Sequence, residues 1–101
     1  MRVFYGDTYI NNEELKEIGI DYPIKLEYYK MYDEVKEFKT EYQIEVIKSS
    51  YLGENVRIEK RVVGNIVKDD RVVNRILETL KQNAVTPIIA QDVIDDLLYA
   101  N

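Results

Sequence analysis

Three carboxylates near the C-terminus have a spacing that could serve a cation. Asp92, Asp95 and Asp96 lie at i, i+3 and i+4, so on a helix they would share one face. Grouped carboxylate oxygens are the ligands that Mg²⁺ and Ca²⁺ prefer. The stretch lacks the Asn and Gly pattern of a calcium loop, however, and a solvated polar helix face accounts for it better. We therefore predict no metal site, and no other motif predicts a cofactor.

A second candidate site is a basic stretch between residues 57 and 75. Its members are Arg57, Lys60, Arg61, Lys68, Arg71 and Arg75. Such a patch could contact nucleic-acid phosphates, with aromatic side chains stacking on the bases. No aromatic residue occurs between Tyr51 and Tyr99, and the net charge of −5 opposes long-range attraction to phosphates. Nucleic acid is therefore the disfavoured partner, and a salt-bridged surface is the simpler interpretation.

Tyrosine is in excess, with 9 among 101 residues. Tyr28, Tyr29 and Tyr32 cluster in a segment of period two, so Tyr29 points away from the other two. Tyrosine suits protein interfaces because its ring buries area while its hydroxyl stays polar. The competing interpretation is that tyrosine replaces Phe and Trp in a small, half-wet core.

Missing residue types exclude several classes of protein. The chain has no Cys, His or Trp, which removes disulfides, Cys/His zinc sites and nucleophiles activated by His. It has no glycine-rich phosphate loop. No apolar run approaches the roughly 18 residues of a membrane span, and the first residues do not form a signal peptide. We expect one domain over residues 1–101 that is not an enzyme, is cytoplasmic and does not contact a membrane.

Period-two alternation predicts the sheet that would position these side chains. Strands are expected from Ile24, over residues 42–46 and over residues 56–62, with residues 2–5 as an optional further strand that ends at Gly6. A turn is expected over residues 52–55. The apolar face of the last strand would consist of Val56, Ile58 and Val62.

Helical periodicity dominates the C-terminal third. An amphipathic helix is expected at about 70–83, and a second one starts with Thr86 as cap and Pro87 at its first position, or alternatively near Gln91. A short helix is expected over residues 12–18. The sequence thus predicts an α+β domain, in which a small antiparallel sheet of three or four strands is covered by two C-terminal amphipathic helices.

The apolar side of the last helix is unusually wide. It spans about half the circumference, whereas a stripe of roughly 100° seats a helix on a core. If the preceding helix lies beside it, the whole arc is buried within one chain. If it does not, Ile94 and Leu98 are exposed at one edge, and an exposed apolar edge marks an interface. A homodimer or a partner docked on that edge is then expected.

Several short segments carry a resemblance to a known family. They are YQIEVIK at 42–48, LETLKQN at 77–83, VTPI at 85–88 and DVIDD at 92–96. In these segments the chain resembles a family of small uncharacterised proteins from anaerobic spore-forming Gram-positive bacteria, over roughly residues 40–99. The resemblance implies a strand pair followed by two helices and a cytoplasmic bacterial protein. It implies no activity and no functional residue.

The leading functional hypothesis is a small, non-catalytic interaction or regulatory protein that binds a protein partner or a second copy of itself. One alternative is a nucleic-acid-associated regulator that uses the basic stretch. Another is an inhibitor that places the acidic first fifty residues in the basic groove of a target. The candidate partner-binding residues are Tyr28, Tyr29, Tyr32, Ile94 and Leu98.

Overall fold

The computed structural model describes residues 1–32, 41–66 and 69–99. Its elements are β1 (Arg2–Ile10), α1 (Asn12–Leu15), a 3-10 turn (Lys16–Ile18), β2 (Ile24–Tyr32), β3 (Tyr42–Leu52), β4 (Asn55–Ile66), α2 (Asp70–Gln82) and α3 (Pro87–Tyr99). The strands form one four-stranded antiparallel sheet in the order β1-β2-β3-β4. The predicted α+β class is confirmed, with the N-terminal segment as the fourth strand.

β1 is longer than its alternation predicts. The sequence places the end of the strand at Gly6, but pairing with β2 continues to Ile10. A register shift between Phe4 and Gly6 absorbs the break in alternation as a bulge. A Cβ atom on Gly6 would lie 3.1 Å from Cδ of Lys81, so the glycine lets α2 approach this edge of the sheet closely.

β3 and β4 form a long hairpin, and its turn lies within the predicted residues 52–55. Gly53 in that turn has a φ of +65°, a backbone conformation that side chains with a Cβ atom rarely adopt. The antiparallel pairing of the two strands is confirmed from Leu52 opposite Asn55 to Tyr42 opposite Ile66.

The apolar face predicted for β4 is wrong. The register sets Val62 opposite Glu45, on the side of the sheet away from the helices. The covered side of β4 instead carries Arg57, Glu59, Arg61 and Val63, because Val63 pairs with the buried Ile44. A register shift beyond Val63 adds one residue to β4, so Ile66 also faces the core. The strand therefore exposes three aliphatic side chains that alternation assigns to the core, namely Val56, Ile58 and Val62.

The two long helices cover one face of the sheet. Asp69 caps α2 by accepting a hydrogen bond from the backbone N–H of Arg71 at 2.9 Å. α3 starts at Pro87 rather than near Gln91, so the first of the two predicted starts is confirmed. α2 packs mainly on β1 and β2, whereas α3 packs on β3 and β4 and against α2. The most completely buried apolar core side chains are Leu26, Tyr28, Ile44, Val46, Val63, Ile66, Val73, Leu77, Leu80, Ala90 and Ile94.

Candidate functional site: the open face of the sheet

One face of the sheet carries no helix among residues 1–32, 41–66 and 69–99. We call it the open face. Alternation and the strand register assign to it Arg2, Phe4, Asp7 and Tyr9 of β1, Lys25, Glu27, Tyr29 and Met31 of β2, Gln43, Glu45, Ile47, Ser49 and Tyr51 of β3, and Val56, Ile58, Lys60 and Val62 of β4. Each strand of this face thus carries at least one aromatic or aliphatic side chain.

The middle of the open face is shielded by its own neighbours. Ile47 is buried although it does not belong to the core under the helices. Its cross-strand partners are Glu27 and Lys60, whose long side chains stand beside it. Nearer β1, the rings of Phe4 and Tyr29 meet edge to face with centroids 5.4 Å apart. The open face therefore has internal packing without a second layer.

Arg2 is the centre of a polar cluster on this face. Its guanidinium Nη2 lies 2.7 Å from Oε1 of Glu45, and its Cζ lies 3.6 Å from the centroid of the Tyr29 ring. The hydroxyl of Tyr29 in turn donates to Oε2 of Glu27 at 2.9 Å. The hydrogen bond to Glu45 raises the pKa of Arg2, and burial together with the bond to Glu27 raises the pKa of Tyr29. These groups therefore satisfy one another within the sheet.

The charges of the open face balance. Its basic residues are Arg2, Lys25 and Lys60, and its acidic residues are Asp7, Glu27 and Glu45. Lys25 lies 3.9 Å from Asp7, which forms a second pair on the face. A surface that is neutral and apolar in part has no electrostatic preference for phosphates.

The tyrosine cluster is divided between the two faces. Tyr28 is fully buried in the core, where its hydroxyl donates to the carbonyl of Val85 at 2.9 Å, so its assignment as a partner-binding residue is wrong. Tyr32 also lies on the covered side, half-buried and tilted against the ring of Tyr42 at 5.7 Å. Of the three, Tyr29 alone lies on the open face.

The proposed interface edge of the last helix is also corrected. Ile94 is 0% exposed in the core where α3 packs on β3, β4 and α2, and Leu98 is half-buried against the same core. Neither side chain forms an exposed apolar edge in this chain. The apolar residues that α3 does expose are Ile88, Ile89 and Tyr99, at 77%, 46% and 83%.

The basic stretch is not gathered on one surface. Lys60 lies on the open face, whereas alternation puts Arg57 and Arg61 on the other side of β4. Arg71 and Arg75 belong to α2, which packs mainly on the opposite half of the sheet. Arg71 also faces Asp69 at 3.4 Å. Lys68 lies outside the described residues.

Two other places were candidates for a site, namely the carboxylates of α3 and a pocket between α2 and α3. Asp95 accepts a hydrogen bond from Gln91 at 3.0 Å, and no group of three or more metal-ligating side chains occurs in the described ranges. A pocket of about 110 Å³ between α2 and α3 is far smaller than the roughly 300–1,000 Å³ of typical ligand sites. Within the part of the chain that is described, no helix is long and apolar enough to cross a bilayer.

Comparison with known proteins gives a family. A family model described as a family of unknown function (DUF6514) matches residues 3–100. The chain belongs to this family. The match extends the resemblance over residues 40–99 to include β1 and α1, which lie outside that span. No curated protein and no solved structure matches the chain.

In this member of DUF6514, sequence reasoning missed most of the open face. Its exposed apolar residues Phe4, Tyr9, Val56 and Ile58 are not among the predicted site residues. One signal was available, since apolar residues occupy consecutive positions at 46–47 and 62–63. Neighbouring residues of a strand point to opposite faces, so such pairs indicate a sheet that is apolar on both sides.

Proposed function

We propose that this chain is a non-catalytic interaction or regulatory protein that binds a protein partner through the open face. The observation that carries the proposal is the exposure of large apolar side chains on a face that no helix of the described residues covers. Phe4 is 51% exposed and Tyr9 is 62% exposed, and aliphatic residues of β4 are exposed on the same face. Large apolar side chains that are exposed together on one face favour an interaction site.

The residue types of the open face favour a protein over a nucleic acid. Aromatic residues, Met and Arg are enriched in protein interfaces, and this face presents Phe4, Tyr29, Met31 and Arg2 together. The main charges already pair within the sheet, so a partner could cover them without leaving an ion unpaired. The basic residues on which nucleic-acid binding would depend are spread over different elements.

The proposal is tested by capture with matched variants. The full chain would be immobilised, incubated with an extract of its source bacterium, and the bound proteins identified by mass spectrometry. The affinity of the purified partner would then be measured for wild type, Phe4→Ser, Tyr9→Ser and Ile88→Ser. Ile88 is the control because it is more exposed than either open-face residue but lies on α3.

We expect Phe4→Ser and Tyr9→Ser each to weaken binding about tenfold or more, as truncation of aromatic anchors does, while Ile88→Ser binds as wild type. Binding that is lost in Ile88→Ser but kept in both open-face variants would contradict the proposal. A gel shift with DNA at two salt concentrations checks the alternative, for which we expect no shift. The proposed cytoplasmic setting follows the resemblance to small bacterial proteins, and cell fractionation tests it.

A further inference from the structure

β4 presents a long and regular strand edge. It pairs with β3 on one side, and no described strand pairs with its other side. The register is continuous from Asn55 to Val63, and the shift that interrupts it lies beyond that point. The unpaired N–H and C=O groups of such an edge are a template for another strand.

The opposite edge of the sheet is protected. β1 carries its bulge between Phe4 and Gly6, near the middle of the strand. Bulges twist an edge strand and interrupt the regular spacing of its backbone groups, which disfavours pairing with another chain. The two edges of this sheet therefore differ, and β4 is the one suited to adding a strand.

The side chains of β4 restrict how two copies could pair. An antiparallel pair around a two-fold axis perpendicular to the sheet centres on one residue, which then faces its own copy. Centring on Arg57, Glu59, Lys60 or Arg61 sets like charges opposite each other, which is destabilising. Centring on Ile58 is the one choice within residues 57–61 that opposes no like charges.

We propose that a second copy of this chain pairs with β4 in the antiparallel register centred on Ile58. In this register Arg57 stands opposite Glu59 of the partner subunit, and the symmetry repeats that pair on the other side of the axis. Val56 stands opposite Lys60 of the partner subunit, whose alkyl stem can pack on it. The occupant is a second copy because the charge sequence of β4 is complementary to itself in this register.

This inference goes beyond the proposed function. The pairing uses the outer edge of β4, so the two sheets become one and their open faces form a continuous surface. Arg57 and Glu59 lie on the other side of β4 from the open face. Variants at these two positions therefore test the dimer without altering the side chains proposed to bind a partner.

The test measures the monomer–dimer equilibrium of the full chain by sedimentation velocity over a range of concentrations. Arg57→Glu sets two acids opposite each other at both symmetry-related positions, and Glu59→Arg does the same with two bases. Glu59 also lies 3.9 Å from Lys48 of its own chain, so Arg57→Glu, which leaves that pair intact, is the more specific variant. We expect each variant to dimerise about tenfold more weakly than wild type. An equimolar mixture of the two variants restores opposite charges at both positions, so it should form a heterodimer about as stable as the wild-type dimer.

Arg61→Glu is the matched control. In the proposed register Arg61 faces Asn55 of the partner subunit, so this variant should dimerise as wild type does. In the register centred on Lys60 it would instead lose its contact with Glu59 of the partner subunit. Circular dichroism of each variant confirms that it is folded.

Three results would overturn the proposal. The first is a wild type that stays monomeric up to about 1 mM, the weak limit of measurable association. The second is a dimer weakened by Arg61→Glu and not by Arg57→Glu, which places the axis at another residue. The third is a dimer broken by Phe4→Ser but not by the β4 variants, which places the contact on the open face. Failure of the dimer leaves partner capture intact, so it is distinguishable from failure of the proposed function.

Discussion

The two faces of this sheet are made by alternate residues of the same strands, and they satisfy their polar groups in different ways. On the covered face, several polar bonds run between layers, beside an ion pair within the sheet between Lys48 and Glu59 at 3.9 Å. Tyr28 donates to Val85 beyond the end of α2, Thr8 donates to the carbonyl of Lys81 at 3.0 Å, and Lys30 lies 2.6 Å from Asp70 of α2. On the open face the bonds stay within the sheet, as between Arg2 and Glu45.

This difference shows how one sheet can contribute one face to the core and leave the other face at the surface. Hydrogen bonds between the layers help to fix the position of the helices on the sheet. Losing one destabilises the fold, because it leaves a buried polar group without a partner. Bonds within the open face need no second layer. They leave side chains such as Phe4 and Ile58 exposed and available to another molecule.

Truncation in the core should produce the largest difference between the two faces. Leu77 on α2 is fully buried in the core between the helices and the sheet. Leu77→Ala removes packed atoms and leaves a cavity, so we expect a loss of about 2–5 kcal/mol in the free energy of unfolding. Denaturant titration measures it. A loss below about 1 kcal/mol would show that α2 is not seated on the sheet as described.

The next effect concerns the buried hydroxyl of Tyr28. Tyr28→Phe leaves the carbonyl of Val85 without its donor, so we expect a loss of about 1–3 kcal/mol in the free energy of unfolding. Tyr9→Phe on the exposed part of the open face is the control and should lie within about 0.5 kcal/mol of wild type. Equal losses in the two variants would remove the proposed distinction between the faces.

Burial adds a pH dependence to the same residue. It raises the pKa of the Tyr28 hydroxyl far above its ordinary value of 10.0. A raised pKa means that the folded state favours the protonated form, so the associated stability is complete below the ordinary pKa and is lost as pH rises above it. Wild type should therefore lose stability above about pH 10 more steeply than Tyr28→Phe. Parallel pH profiles would contradict this.

The most direct comparison of the two faces uses neighbouring valines of one strand. Val63 is 2% exposed toward the helices and Val62 is 45% exposed on the open face. Both changes to Ala lower β propensity alike, so the difference between them reports burial. We expect Val63→Ala to cost about 1–2 kcal/mol more than Val62→Ala in chemical denaturation. The reverse order would restore the apolar face that alternation predicts for β4.

Sequence reasoning recovered the elements whose signals are local. The apolar face of β2, the limits of α2 and the start of α3 at Pro87 all follow from periodicity and capping within a few residues. The family resemblance gave the same order of elements, and the family match supports membership over residues 3–100.

The misassigned features all depend on distant parts of the chain. Alternation divides β4 into two faces but cannot tell which one the helices cover, and its pairing with β3 puts Val56, Ile58 and Val62 on the open face. Ile94 is buried where α3 packs on β3, β4 and α2, and no spacing within α3 encodes which neighbours cover it. Glycine at position 6 favours a turn, yet pairing with β2 continues past Gly6 to Ile10. Alternation does predict correctly that Tyr29 lies on the face opposite Tyr28 and Tyr32, because that relation is local to β2.

The smallest predicted effect concerns a hydrogen bond on the covered side of β1. Its contribution to stability depends on pH. The hydroxyl of Tyr5 donates to Oε1 of Glu78 on α2 at 2.7 Å, and this bond lowers the pKa of Glu78. A lowered pKa means that the stability is present above the ordinary pKa of 4.5 and is lost as pH falls through the folded-state value. The free-energy difference between wild type and Tyr5→Phe should thus shrink between neutral and acidic pH.

Tyr9→Phe is the control for this pH series, because Tyr9 lies on the same strand but on the open face, where its side chain is mostly exposed. Its difference from wild type should be small and independent of pH. Glu78→Gln should remove most of the pH dependence of the Tyr5→Phe effect, since the amide does not titrate but can still accept from the hydroxyl. If the Tyr5→Phe difference stays constant down to about pH 3, the tyrosine does not act through an ionised Glu78. β1 would then be held to α2 by packing and by the bond of Thr8 to Lys81.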